Sequence, residues 1–557
     1  MRNAISLFGL LLASGSLIAC DQEYDPDAPA IDPNAPRVHI TSPARGTIAG
    51  DISQITVKGV ATDDEGVSSV VVNGVSAAVQ ADGSFEVVVP VVDGTNLIHA
   101  IAKDAQNNTG KETRAVVAGK LTSIDRTITQ AITASMSAAT FDAIGRGAAK
   151  FIQDSNLTAL VTPMNPVVDY GTTGGVPDCL YAQAHITGFD VGKSTISLAP
   201  QSGGLYIDAT LENIRMDTHL QWAVSCFDGS RDVAVGATKI RVRGMFAVGI
   251  KPGGEFDIKL QNPNVTVTGF SVDLGGIPQE IIDYLDLDTR MGPIVGWATE
   301  RFVVPMLNSA LDGLNETKTI DVFGKKIDIA LAPNRIDFDV VGAVVLLDSE
   351  LRAQGDEGSP GFVYVANTLP VMDKSQGFQL AVADDAANQL LSSLWAAKAL
   401  EAGLDLKTGS YGEVGKLYDR VEITAKVPPY IDATGEGLKM TIGDLIATFK
   451  NGESIATQVA INAQVELKVV AAPGGGLRLD VGSPVTYVDI LDENVDGTNA
   501  LSNAQFEAIA TFALGRVVAV GSGSVGAIPL PSAGGVAVKN VKVSQQAGYV
   551  VVDGDVQ

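Results

Sequence analysis

One plan is written twice in this chain: a long amphipathic helical pattern, then long strands of alternating apolar and polar residues, then a second helical pattern. Two such units sharing one sheet wrap strands around helices, and wrapping of that kind encloses apolar tunnels. The plan therefore implies an all-purpose apolar interior more than a reactive cleft.

The first unit begins after about residue 121. Ile124, Ile128, Ile132 and Met136 recur at intervals of four, Phe141 and Ile144 continue the apolar side, and Phe151 and Ile152 end it, which predicts a helix over 123–154. Pro163 and Pro166 close that stretch. Strands of period two follow: Leu205, Ile207, Ala209 and Leu211; Ile240, Val242, Phe246 and Val248; Phe256, Ile258 and Leu260. A second helical region is expected over 277–314, where Trp297, Phe302, Met306, Leu307 and Leu311 make a wide apolar face.

The second unit follows strands expected over 318–366. Its first helix is predicted over 384–402, capped by Asp384 and ended at Gly403, with Leu390, Leu391, Leu394 and Trp395 on one side. Alternation returns at Val459, Ile461, Ala463, Val465 and Leu467, then at Leu477, Leu479 and Val481. A final helix is expected over 502–520, and the last strands include Val536, Val538 and Tyr549 to Val552.

Ahead of both units, residues 37–120 give short strands separated by turn residues, such as Asn73-Gly74, Asp82-Gly83 and Asp93-Gly94. A sandwich of two sheets follows. Asp63, Asp64, Glu65 and Asp104 could hold Ca²⁺, but carboxylates in turns serve far more often as local acceptors, so no cation is expected there. The phrases GVATDDEGVSSVVVNG and ADGSFEVVVPVVDGTN resemble bacterial immunoglobulin-like modules of secreted and carbohydrate-active proteins.

Charge narrows the partners. Across 557 residues there are 39 Lys and Arg against 64 Asp and Glu, a net charge of -25, which repels phosphate backbones and excludes nucleic acid as a partner. A hydrophobic share of 46% supports large cores and excludes disorder.

At the N-terminus stand Arg2, the apolar run Leu7 to Ala13, and Leu17-Ile18-Ala19-Cys20. The segment is too short to span a bilayer and resembles a bacterial lipoprotein signal, in which Cys20 becomes the acylated first residue of the mature chain. Residues 1–19 are then a signal peptide, and 20–36, rich in Asp and Pro, a tether. The implied location is the cell envelope of a Gram-negative-type bacterium, anchored to the inner or outer membrane. Cys179 and Cys226 fall at expected strand edges of one domain, and an exported compartment is oxidising, so a disulfide between them is expected.

The order of elements, with the phrases ITGFDVGKSTISLAPQSGGLYIDATLENIRMDTH and FQLAVADDAANQLLSSLWAAKALEAG, is similar to the tubular lipid-binding superfamily typified by bactericidal/permeability-increasing protein. The resemblance covers residues 121–557. It implies an α+β fold of two barrels in pseudo-two-fold relation, 121–335 and 336–557, with highly curved antiparallel sheets wrapped around long helices. It also implies acyl chains held between helix and sheet, and a disulfide in the first barrel. The family's antibacterial members are basic; this chain is acidic, so a neutral or zwitterionic lipid or another apolar molecule is the expected ligand.

Trp297, Phe302, Met306, Leu390, Leu394 and Trp395 are the candidate lining residues, against the plain alternative that each belongs to a packed core. Chemistry is not expected. Gly521, Gly523 and Gly526 are followed by prolines where a helix should start, and the four histidines show no ligand spacing. Asp384-Asp385 reads as a helix start, not a glycosidase pair. The expected protein is a non-enzymatic envelope lipoprotein that binds or ferries lipid or another apolar ligand, with a surface adhesion or scaffold protein as the alternative and a carbohydrate-active enzyme third.

Overall fold

A computed structural model describes residues 35–170, 180–225, 227–252, 254–279, 281–282, 318–322, 324–407, 414–433, 438–471, 477–493, 506, 510 and 538–556. Strands dominate, arranged as an N-terminal sandwich, a central sheet and two curled sheets. The signal peptide, most of the tether, most of the expected helices over 277–314 and 502–520, and the glycine motif at 521–526 lie outside the described residues.

In the sandwich, Arg37–Ser42, Gln54–Thr62, Ser84–Pro90, Val75–Val79, Val67–Val72, Gly94–Asp104, Thr109–Ala118 and Thr47–Gly50 follow one another in hydrogen-bonded order. Alternation places Ile40, Val57, Val72, Phe85, Val89 and Ile98 in a single core between the two layers. The turn carboxylates serve the loops themselves. Asp104 accepts from the backbone N–H of Gln106 and Asn108, and Glu65 accepts from the Gln106 side chain.

The central sheet has seven strands, in the order Lys318–Val322, Lys325–Phe338, Gly342–Ala353, Ile128–Ser137, Phe378–Ala383, Tyr549–Val556 and Val538–Gln546. All its pairings are antiparallel. It takes strands from both expected units, and Lys325–Phe338 runs through the expected boundary at 335/336.

The helix expected over 123–154 forms only in its second half. Residues 128–137 are a strand, and the helix, α1, is confined to Ala138–Asp154. A spacing of four is satisfied equally by one face of a helix and by every second residue on one face of a strand. In Ile128–Ser137 the β-branched Ile and Thr residues tip the balance to strand. Ser137 then caps α1, its hydroxyl accepting from Thr140 N at 3.2 Å.

The first curled sheet is made by Val168–Tyr170, Tyr181–Gln201, Gly204–Val224, Phe227–Ile250 and Phe256–Thr268, with Ser271–Val272 paired at its side. Its three longest strands have 21, 21 and 24 residues. Strands this long coil strongly, and Asn213, at φ 54°, marks a break in their alternation. Before it Leu205, Ile207 and Ala209 are buried; after it Ile214, Leu220 and Trp222 are. One sheet therefore serves two cores. The first gathers Phe141 and Ala149 of α1, Ile207 and Phe246 of the sheet, and Val345 and Leu347 of the central sheet. The second holds Trp222, Leu220 and Ile281. α1 lies close to the strand beneath it because Gly145 has no side chain: a Cβ there would stand 2.7 Å from the Ile196 carbonyl oxygen.

The second curled sheet runs Ala402–Asp405, Arg420–Ala425, Leu438–Asn451, Ser454–Ala471 and Leu477–Val481, with Tyr430–Asp432 and Val485–Glu493 paired alongside. Its inner face carries Val421, Ala447, Phe449, Val459 and Val488. The sandwich sits against the opposite face, where Asp444, Asn462 and Asp489 are buried.

Candidate functional site

The residues of greatest interest lie on and around a second long helix. Leu157–Val161 is a short helix, α2, and Asp384–Ala396 is α3. α3 ends earlier than expected: Ala397 is its C-cap, and Ala402–Asp405 is already a strand. Asp384 is the first residue inside the helix and not its cap. The two acids in the first turn suit the positive end of the helix dipole.

Every polar side of α3 is buried. Asp384, Asp385, Asn388, Gln389, Ser392 and Ser393 all have less than 9% exposure. Nothing about a solvated helix requires this, and the reason is found in the backbone groups around it. Strand Ile128–Ser137 pairs with Gly342–Ala353 only as far as Ser349, which leaves the N–H groups beyond that point on this side without a ladder partner. Gln389 Oε1 accepts from Leu351 N at 2.9 Å, and Ser393 Oγ accepts from Ala353 N at 2.6 Å. The Gln389 amide also donates to the carbonyls of Ile124 and Arg126. Asn388 exchanges two hydrogen bonds with Ile431, at 2.8 and 2.7 Å. Asp384 accepts from Ala433 N at 2.9 Å, and Asp385 from Val365 N at 3.0 Å. α3 is thus a polar hub that satisfies the edges of the central sheet, the second curled sheet and the segment between them.

The hub is also electrostatically tense. Asn367 Nδ2 donates to both Asp384 and Asp385, at 2.7 and 3.3 Å. Burial raises both carboxyls above the ordinary range, Asp385 to about 7, with the neighbouring Asp384 pushing the same way and the Val365 N–H opposing. Tyr549, whose hydroxyl donates to Gln130 O at 3.2 Å, is pushed up to about 12 by burial and by the two aspartates.

Opposite the polar side lies the apolar one, at helical spacing: Leu390, Leu391, Leu394 and Trp395. Leu394 is 2% exposed and, with Leu390, packs on Ile327, Ile329 and Ala353 of the central sheet. Trp395 reaches the other way, its indole N–H donating to Ala425 O of the second curled sheet at 2.8 Å. Leu390, Leu391 and Trp395 are only half-buried. Amphipathic helices normally bury the apolar stripe and wet the polar one; α3 buries the polar side and leaves its apolar side, at the seam of two sheets, incompletely covered.

Of the candidate lining residues, Leu390, Leu394 and Trp395 are brought together here, with Leu394 covered by the chain's own side chains. Trp297, Phe302 and Met306 lie outside the described residues, as do Cys20, Cys179 and Cys226. Sequence reasoning missed Asn388, Gln389, Ser392 and Ser393. Their signal was available: a helix face of uncharged amides and hydroxyls, without Lys or Glu, is poorly suited to water and well suited to backbone partners. Among the described residues no helix is long and apolar enough to cross a membrane, and no group of His, Cys, Asp and Glu is placed to hold a metal ion.

The architecture is that of a β-rich protein with an N-terminal sandwich and two curled half-barrel sheets on a common central sheet. The family described as glucodextranase, domain B, matches residues 36–120, and the sandwich is immunoglobulin-like. No curated protein matches the chain. Among solved structures, lipopolysaccharide binding protein is similar at 11% identity and a TM-score of 0.37, over 77% of this chain and 99% of that one. P47 of Clostridium botulinum E1 is similar at 9% identity and a TM-score of 0.24, over 77% of this chain and 100% of that one. P47 from Clostridium botulinum A2 gives 9% and 0.26, over 77% and 98%.

Proposed function

We propose that the protein binds an apolar ligand bearing an acyl chain at the seam where α3 meets the central and second curled sheets, and that a lipidated Cys20 holds it at a bacterial envelope membrane. The observation that carries the reading is the inverted placement of α3, whose polar side is covered while Leu391 and Trp395 stay half-buried, with the Trp395 indole reaching Ala425 O of the second curled sheet. Covering such a stripe with a sixteen-carbon chain would bury surface worth about 10 kcal/mol at ~0.8 kcal/mol per CH₂, before the entropy of ordering is subtracted. No charged contact is required. A net charge of -25 favours a neutral or zwitterionic head over an anionic one. The sandwich supports this reading over an adhesin's freely presented module, since one of its sheets is packed against the second curled sheet. Organic extraction of the purified full chain, followed by mass spectrometry, is the test: co-purifying acyl lipid is expected, and a folded protein that carries none and takes up none from zwitterionic vesicles overturns the proposal.

A further inference from the structure

We propose that the sandwich is a proton-gated brace, clamped to the outer face of the second curled sheet while one carboxyl of a buried five-group ionic cluster keeps its proton, and loosened when that proton leaves. The cluster comprises Arg45, Glu112 and Arg114 from the sandwich and Asp444 and Asp489 from the sheet. Arg45 Nη1 donates to Asp444 Oδ1 at 2.7 Å, and its Nη2 to Asp489 Oδ2 at 3.0 Å and to Glu112 Oε1 at 3.1 Å. Arg114 Nε donates to Glu112 Oε1 at 2.9 Å. The side chains are 12%, 7%, 8%, 0% and 9% exposed in the order Arg45, Glu112, Arg114, Asp444 and Asp489, so water does little to screen them.

Two guanidinium groups face three carboxylates. Fully ionised, the cluster carries an uncompensated negative charge in a nearly dry interface, and the balance closes when one carboxyl is protonated. Asp444 accepts on both oxygens, from Arg45, Gly46 N and Ala115 N. Glu112 accepts from both arginines and from Ile40 N. Asp489 takes both its donors, Arg45 and Thr113 N, on Oδ2. Its burial raises the carboxyl to about 7, with Glu112 pushing the same way and Arg45 opposing.

The histidines nearby do not restore the balance. His99, its ring tilted against that of Tyr487 at 4.9 Å, is held below its ordinary value by burial and by Lys111. His39 approaches Glu112 at 3.4 Å from an exposed position.

The two parts also touch closely beside the cluster. Asn462 donates to Thr113 O at 3.1 Å, and a Cβ on Gly443 would stand 2.3 Å from the Ala115 side chain. Losing the Asp489 proton places the extra charge at this contact. The inner face of the same sheet carries Val459 and Val488, so the brace supports the wall of the half-barrel from behind.

The test is hydrogen exchange of the Thr113 and Ala115 amides in the full chain, expressed as protection factors, from about pH 5.5 to about pH 9. Protection is expected to hold below pH ~7 and to fall toward tenfold per pH unit above it, as release of one proton requires. Asp489→Asn should flatten the profile, and so should Glu112→Gln, which leaves two charges of each sign. Amides of strand Gln54–Thr62 should stay protected throughout, which separates undocking from unfolding. A flat wild-type profile, or a profile unchanged in both variants, overturns the proposal.

Discussion

Arg45 and Asp444 are separated by 399 residues in sequence and by 2.7 Å in space. The contact joins the immunoglobulin-like sandwich to the second curled sheet, and it does so at a bulge: Asp444 has φ 42°, and the register between Leu438–Asn451 and Ser454–Ala471 shifts at that point. The bulge turns the carboxylate out of the ladder toward the sandwich, where Gly46 N and Ala115 N complete its shell.

Removing the cation should therefore cost more than the pair itself is worth. Arg45→Met leaves Asp444 and Asp489 buried without their partner and is expected to destabilise docking by about 3–5 kcal/mol. Calorimetry of the full chain checks it: the variant should melt in separate steps for sandwich and curled sheets, whereas a single unshifted transition would argue that the cluster contributes nothing.

The hub on α3 makes a second prediction. Ser393→Ala removes the acceptor for Ala353 N and the donor to Asp356 in one step. A loss of about 1–3 kcal/mol in denaturant unfolding is expected from the stranded buried groups. Ser393→Cys, of similar volume, should recover little, because sulfur accepts hydrogen bonds weakly.

Acid–base behaviour follows from Asp385. Its folded value, about 7, lies above the ordinary 3.8, so the native state holds a proton that the unfolded chain gives up. The stability it contributes is complete below about pH 4 and is lost as pH rises through about 7. Asp385→Asn, which keeps an acceptor for Val365 N, should gain on wild type as pH rises from about 5 to about 8 in parallel melts. Parallel curves would show that Asp385 ionises freely in the fold.

Packing in the first half gives a fourth expectation. Phe246 and Ile207 are both fully buried between α1, the first curled sheet and the central sheet. Phe246→Ala should cost about 3–5 kcal/mol and Ile207→Val about 0.5–1.5 kcal/mol, measured by urea unfolding. Near-equal, small losses would mean that this interior is loosely filled.

Much of the fold was legible in local pattern. Residues 37–120 announced short strands through their turn residues, and Leu205 to Leu211 or Val459 to Leu467 announced long ones through strict alternation. Ile128 to Met136 misled because a four-residue spacing satisfies both periods, and only pairing with Gly342–Ala353 and Phe378–Ala383 decides between them. The leucines of α3 were visible, but the role of Gln389 and Ser393 was not: it depends on where the ladder of another strand stops. Arg45 had no local signature at all, since its partners Asp444 and Asp489 are brought to it by the packing of one domain on another.

The account rests on an acyl ligand beside α3, and the most direct measurement compares lipid recovered from the wild-type chain with that from Leu391→Glu, a change on the half-buried apolar side that leaves the hub's hydrogen bonds in place. Near-stoichiometric acyl lipid in the wild type and a large loss in the variant, with the variant's circular dichroism spectrum unchanged, is the predicted result. Equal recovery from both, or none from either, would contradict it.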